Sequence, residues 1–503
     1  MDQLSVAFSE FVNAGLQIMA AVFICAIGLL ILWVVVSYVL DVTQTQQAIR
    51  RNYPVIGRFR YVFEHLGEFF RQYFFAMDRE ELPFNRAQRS WVYRAAKNVD
   101  STVAFGSTDN IHGSGRTIFV NCTFPTLGED AVPPQPVTIG TRCKHPYTTA
   151  SIFNISGMSF GALSKPAVLA LSMGAKEADC WMNTGEGGLS PYHLEGGADI
   201  VFQIGTAKNG VSDLDGNLSD EKLLEVSAHP AVKMFEIKMS QGAKPGKGGM
   251  LPAEKVTAEI AAIRGVRTGE NAFSPNRHVD INSFEDLLDM INRIRDVTGK
   301  PVGFKMVVGA PEQIDDLCTA IIMRDIASAP DFITIDGAEG GTGAAPMALI
   351  DSVGMSLRES LPILVDKLKQ YGLRDRIKIV ASGKLVTPSA VAWALCAGAD
   401  FIVSARGFMF SLGCIQALQC NKNTCPTGIT THDPKLQRGL HPMEKSVRVT
   451  SYVNNMVNEV GVIAHSCGVT SPRELNRSHA RVVTGNGRTI GLNELFPEAE
   501  PKQ

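Results

Sequence analysis

The sequence predicts an α/β fold: a (β/α)8 TIM barrel preceded by a transmembrane helix and a small helical region. Three observations carry this prediction. Eight short apolar runs alternate with helical stretches between residues 150 and 430, the count and size of a closed parallel barrel. The apolar runs end in glycine-containing or polar clusters, as strands that feed functional loops do. Near the start, no charged residue occurs from Phe11 to Leu40. A doubly wound open sheet is the alternative architecture, but no GxGxxG follows the first run.

In chain order, Ile18 to Leu40 reads IMAAVFICAIGLLILWVVVSYVL, longer than the ~20 apolar residues that cross a bilayer. A signal peptide would need a basic start and a small-residue cleavage site; the chain instead begins MDQLSVAFSE and continues DVTQTQQ after the run. Arg50, Arg51, Arg58 and Arg60 follow the run and no Lys or Arg precedes it, which predicts a single-pass membrane protein with the chain after about residue 45 in the cytoplasm. The expected segments are an anchor (1–45), a helical or mixed region (46–149), the barrel (150–430) and an extension (431–503). Residues 42–100 are helical and aromatic in pattern, suited to packing on the main body or to forming a collar for a membrane surface or partner.

The predicted strands are SIFNIS (151–156), CWMNTG (180–185), IVFQIG (200–205), MFEIKM (234–239), PVGFKM (301–306), FITIDG (332–337), IKIVASG (377–383) and FIVSARG (401–407). Helical patterns lie between them at PAVLALSMGAKEA, FEDLLDMINRIRDVTG, EQIDDLCTAIIMRDIA, RESLPILVDKLKQYG and SAVAWALCAGA. Net charge is −2, without a basic block or basic-aromatic stripe, so nucleic acid is not an expected partner. The 46 glycines cluster in short runs, as backbone devices do.

In a barrel the chemistry sits at the C-terminal strand ends, and the last two strands commonly build a phosphate site. Those ends here are Ser382-Gly383 and Ala405-Arg406-Gly407. A ligand that carries a phosphate and touches several strand ends is expected, and FMN meets both conditions. Lys305 ends the fifth run in an otherwise apolar context. It is read either as the cation that stabilises a reduced flavin or as the partner of a nearby carboxylate.

Of ten cysteines, seven are scattered and expected to be reduced, buried and inert. Cys414, Cys420 and Cys425 have the spacing C-x5-C-x4-C, with Pro426 after the third. Iron–sulfur ligation, zinc with His432 as a fourth ligand, and a purely structural role are all open on spacing alone.

The stretches MSFGALS, NTGEGG, EIKMSQGAKPGKGGMLP, DGAEGGTGAAP and GCIQALQCNKNTCPTG, in this order, resemble the FMN-binding synthase domain of glutamate synthase. The resemblance covers more than half the chain. It implies FMN on the barrel and a [3Fe-4S] cluster on Cys414, Cys420 and Cys425. In that family reduced FMN passes hydride to 2-iminoglutarate, formed from 2-oxoglutarate and ammonia, to give L-glutamate. Carried over by position, Lys305 becomes the flavin N1 neighbour. Met158, Ser159, Gln203, Gly340, Gly341, Gly343, Ser382, Gly383, Ala405, Arg406 and Gly407 become cofactor contacts. Glu186, Gln241 and Lys244 become the substrate side, Lys244 suiting a dicarboxylate.

The chain departs from the family pattern in four ways. A membrane helix stands where an amidotransferase domain is expected, so no built-in glutaminase is expected. About 75 residues follow the cysteines, too few for the family's C-terminal β-helix. Met250 replaces a glutamine after GKGG, and Lys208 stands where an arginine is common. The expected electron partner is ferredoxin, a partner flavoprotein or a quinone. Two other functions compete: an FMN-dependent 2-hydroxy-acid dehydrogenase, which needs an active-site histidine, and a membrane-bound flavin and iron–sulfur electron carrier or redox sensor.

Overall fold

The computed structural model describes residues 2–70, 74 and 77–498. The chain divides into two compact units, 1–87 and 88–503.

In the first unit, helix α1 (Asp2–Thr43) is followed by a single turn (Ala48–Asn52) and by α2 (Gly57–Phe70). The 39 residues Ser5–Thr43 are long and apolar enough to cross a membrane, and none of the apolar window is buried. In an apolar medium a helix satisfies every backbone group within the segment, which outweighs the lower helix propensity of the run's many Val and Ile residues.

The second unit is built on a closed barrel of eight parallel strands: β1 (Phe153–Ile155), β2 (Trp181–Asn183), β3 (Asp199–Ile204), β4 (Val232–Lys238), β5 (Val302–Met306), β6 (Phe332–Asp336), β7 (Lys378–Ser382) and β8 (Phe401–Ser404). β8 closes on β1 through Val403 opposite Asn154. All eight predicted runs are these strands. Their near-continuous burial explains why the runs are apolar on both faces: one face fills the barrel and the other meets the helices.

The helices on the outside are α3 (Arg86–Ala96), α4 (Lys165–Glu177), α5 (Asp220–Ala228), α6 (Phe284–Thr298), α7 (Glu312–Arg324), α8 (Leu357–Gln370), α9 (Pro388–Ala397), α10 (Arg406–Ser411) and α11 (Pro442–Ser466). Local chemistry sets their ends. Ser283 and Asp286 form a reciprocal capping box at the start of α6, and Gly299 stops it in the left-handed region at φ 68°. Sequence periodicity missed α5, which is short and polar but capped by Ser219.

At the N-terminal end of the barrel, a hairpin (Val137–Ile139 with Tyr147–Thr149) plugs the opening. Ile139 and Tyr147 pack there with Trp181, Val201, Met234, Phe332, Val380, Phe401 and Val403. The barrel is therefore closed below, and ligands must enter from the C-terminal mouth. The stretch after residue 430 is not a loose appendage. α11 lies against α4, where a side chain at Gly174 would come within 2.5 Å of Val449. Tyr452 on α11 is buried against Phe153 and Phe408, and its hydroxyl donates to the Val386 carbonyl at 3.0 Å.

Candidate functional site

A cleft with an empty volume of about 520 Å3 opens at the C-terminal ends of the strands. Its lining draws on β1, β3, β4, β5, β6, β7 and β8 and their loops, because successive parallel strands deliver their last residues to one rim. Of the residues expected from sequence, Gln203, Gln241, Lys305, Gly340, Gly341, Ser382, Gly383, Ala405 and Arg406 lie on it.

Lys305 is buried at the end of β5, and its ammonium meets Asp336 at 3.2 Å. Asp336 also accepts from the Gly242 amide at 2.9 Å. Lys305 thus meets its carboxylate reading: Asp336 is its partner and fixes it at the cleft wall. Lys238, Lys384 and Arg406 also line the cleft; Asp336 is the one carboxylate in the described lining, and Lys238 has a further partner in Glu186. Burial pushes the Arg406 guanidinium down to about 10, against the opposing pull of Asp336 and Glu339. Burial likewise lowers Lys384, and the Arg406 charge lowers it further. An anion placed between these groups would relieve a cost that the protein carries alone.

The glycines make the room. A Cβ at Gly341 would lie 2.6 Å from Arg406 Nε, so the guanidinium lies directly over this backbone. Gly383 has φ 142°, which an L side chain avoids. Below the cleft, Glu236 is the hub of a buried network. Its carboxyl accepts from Asn183 Nδ2 at 2.8 Å, Gln203 Nε2 at 2.7 Å and Thr334 Oγ1 at 2.5 Å. Glu236 holds the Gln203 amide in place at the mouth. A cationic, glycine-walled cleft with fixed amides and a Lys at its wall fits the phosphate and the polar ring edge of FMN.

Other expected residues lie elsewhere. Glu186 and Lys244 form a neighbouring group: the Glu186 carboxylate pairs with Lys238 at 2.9 Å, and Lys244 is buried with its ammonium 3.5 Å from the Gly248 carbonyl. Burial works against Glu186 ionisation, but Lys238, Lys244 and Arg264 outweigh it and hold the carboxyl below its ordinary range. Arg264, which sequence reasoning did not single out, donates to Ser159 Oγ at 3.1 Å and the Phe160 carbonyl at 2.9 Å. Its Nε is buried without a protein partner. Only the short helix Ala258–Arg264 and the fold of the MSFGALS loop bring it here, so no local motif could mark it. Met158 and Ser159 belong to this loop rather than to the cleft lining. Gly343 has open space around its Cα, and Gly407 is a packing glycine whose Cβ would strike the Tyr452 hydroxyl. Lys208 is buried on Asp280 at 3.0 Å, and Met250 is half exposed on a short hairpin.

The three cysteines follow α10 in a loop where Gln416, Leu418 and Asn423 all have positive φ. Beneath it the buried Lys255 ammonium donates to the Cys420 carbonyl at 2.7 Å and the Thr430 carbonyl at 2.6 Å. Burial pushes the Cys414 thiol up to about 12. At Cys425 burial is outweighed by hydrogen bonds from Thr427 and Thr430, which lower it. The donors suit iron–sulfur chemistry, yet among the described residues no three His, Cys, Asp or Glu side chains are arranged to hold a metal ion. His432 Nε2 is 2.8 Å from the Gly161 carbonyl, which takes away the zinc reading's fourth ligand at that nitrogen. All ten cysteines are free thiols; Cys25, expected buried, is exposed on α1.

Two histidines, His193 and His278, are fully buried. His193 caps the turn Pro191–Glu195, its Nδ1 accepting from the Ser190 amide at 3.1 Å. His278 Nε2 lies 3.1 Å from the Lys238 carbonyl. Burial lowers His193 to about 3; burial and then the Lys208 charge lower His278 to about 4. Both are depressed below the unfolded value, so their contribution is complete above pH ~6.5 and is lost as pH falls from there through the folded values. The apparent thermal midpoint should fall between pH ~6.5 and ~4, and His278→Gln should flatten that fall. Identical slopes for both proteins would refute this assignment.

A closed parallel barrel with basic side chains and close-approach glycines at its C-terminal mouth defines a (β/α)8 protein with its candidate site at that mouth. The conserved region of glutamate synthase matches residues 127–470, and the chain belongs to the glutamate synthase family of oxidoreductases. It is 40% identical over 498 residues to the glutamate synthase large subunit-like protein YerD of Bacillus subtilis, covering 91% of this chain and 94% of that one. It is 37% identical over 345 residues to the archaeal glutamate synthase (NADPH) of Methanocaldococcus jannaschii, covering 68% of this chain and 62% of that one. Among solved structures, a mutant of the active chimera of (S)-mandelate dehydrogenase aligns with a TM-score of 0.47 and 13% identity, covering 78% of this chain and 98% of that one.

Proposed function

We propose that the chain is a membrane-anchored, FMN-dependent oxidoreductase of the glutamate synthase type, acting on the 2-iminoglutarate/glutamate pair or a close relative. The observation that carries the reading is the convergence of Lys238, Lys305, Lys384 and Arg406 with close-approach glycines on one cleft. FMN bound there would supply hydride transfer to or from the substrate carbon. Arg406, Lys384 and the Gly383 backbone hold the phosphate end. Lys305, fixed by Asp336, places positive charge where a reduced ring gains electron density. Gln203, held by Glu236, positions the polar ring edge. On the substrate side, Lys244 and Arg264 bind carboxylates, and the Lys238–Glu186 pair orients the amino or imino group.

A [3Fe-4S] cluster on Cys414, Cys420 and Cys425 belongs to the same proposal. It rests on thiol spacing and on the buried Lys255 cation beneath the loop. The external electron partner is ferredoxin, a flavoprotein or the quinone pool, with α1 as the anchor and the barrel in the cytoplasm. The hydroxy-acid alternative needs a histidine base, and no described residue lining the cleft is a histidine.

The test is an anaerobic titration of the purified chain with glutamate, and of its reduced form with 2-oxoglutarate plus ammonia, followed at the flavin bands. Iron, sulfide and EPR measurements on the same sample test the cluster. Reduction by glutamate supports the substrate assignment. No spectral change with either substrate or near relatives would overturn it, and iron-free, fully active protein would overturn the cluster alone.

A further inference from the structure

The first unit carries a surface that the proposed chemistry does not use. No charged residue lies between Glu10 and Asp41. Their separation along a helix is about 46 Å at ~1.5 Å per residue, close to the ~40–45 Å of a bilayer with its headgroups. When α1 spans, Asp41 lies at headgroup depth. The Asp41 side chain is fully buried, paired with Arg50 at 2.6 Å and Arg58 at 2.8 Å, and it accepts from the Val55 amide at 3.0 Å. This clamp fixes residues 55–58, and hence the first turn of α2, at the depth of Asp41.

From that fixed point α2 leaves α1 and, among the described residues, does not pack along it. Ile56, Phe59, Phe63, Leu66 and Phe70 recur at steps of three and four, which puts them on one side of the helix. They are 73%, 52%, 66%, 38% and 44% exposed. Arg58, Glu64 and His65 lie on the other side. Arg51 and Arg60 are exposed and lie within two residues of the clamp's Arg50 and Arg58 in sequence. We propose that α2 is an in-plane interfacial helix, seating its apolar stripe in the bilayer that α1 crosses while Arg51 and Arg60 meet lipid phosphates. The proposal rests on reading α1 as a membrane anchor. Depth and charge together select the lipid surface as the occupant: an apolar stripe held at headgroup level beside arginines has lipid as its nearest apolar medium.

The experiment uses the full chain reconstituted in vesicles of phosphatidylcholine and phosphatidylglycerol, with and without bromine near the top of the acyl chains. The four native tryptophans include Trp33 on α1, so the unsubstituted protein reports the anchor. Phe63→Trp should add emission that brominated lipid quenches as strongly as it quenches Trp33, while Glu64→Trp should add emission that it leaves unchanged. Quenched Trp33 with unquenched emission from Phe63→Trp overturns the interfacial helix, leaves the anchor standing and points to a protein partner for the stripe. Unquenched Trp33 overturns both readings.

Discussion

Lys305→Met is expected to lower turnover by roughly 10²–10³-fold, the loss typical when a donor that stabilises developing negative charge is removed. Lys305 is buried at the end of β5, 3.2 Å from Asp336, at the wall of the cleft. Methionine keeps the stem and its packing but removes the charge. Asp336 retains its hydrogen bond from the Gly242 amide, so the loop stays anchored. The effect should therefore appear in the rate of anaerobic flavin reduction more than in folding, and Lys305→Arg should recover part of it. A rate within about threefold of the unsubstituted protein would rule out Lys305 as the charge that steers electrons onto the cofactor.

The second large effect is on the network beneath. Glu236→Leu leaves Asn183, Gln203 and Thr334 without their shared acceptor inside a barrel that is closed below. Breaking such a buried hub costs about 3–5 kcal/mol. The apparent thermal midpoint should drop, and cofactor affinity should fall with it because Gln203 is released at the mouth. Glu236→Gln keeps the shape and one acceptor, so it should lose less on both counts. If Glu236→Leu matched the unsubstituted protein in midpoint and cofactor content, the network would not be what holds the cleft floor.

Most of the fold was legible in the sequence. Strands buried on both faces are written as unbroken apolar runs, and the runs at 301–306 and 332–337 coincide with β5 and β6. The cleft was partly legible, because Ser382, Gly383, Ala405 and Arg406 stand at strand ends where barrel geometry sends them to one rim. What stayed hidden is what depends on tertiary meeting. Glu236 sits in EIKM with no mark of its own, and its role exists only because β2, β3 and β6 bring Asn183, Gln203 and Thr334 to it. Arg264 belongs to an ordinary helical turn. Gly407 looked like a phosphate-loop glycine, yet its lack of a side chain makes room for Tyr452, some 45 residues further along the sequence.

The most direct test of the account is cofactor extraction from the purified, full-length chain. Denaturation should release FMN, near one equivalent per chain, and Gly341→Val, which drives a side chain into the seat of Arg406, should release little. A colourless chain that takes up no FMN on reconstitution, or a Gly341→Val protein that binds it as well as the unsubstituted one, would contradict the assignment of this cleft.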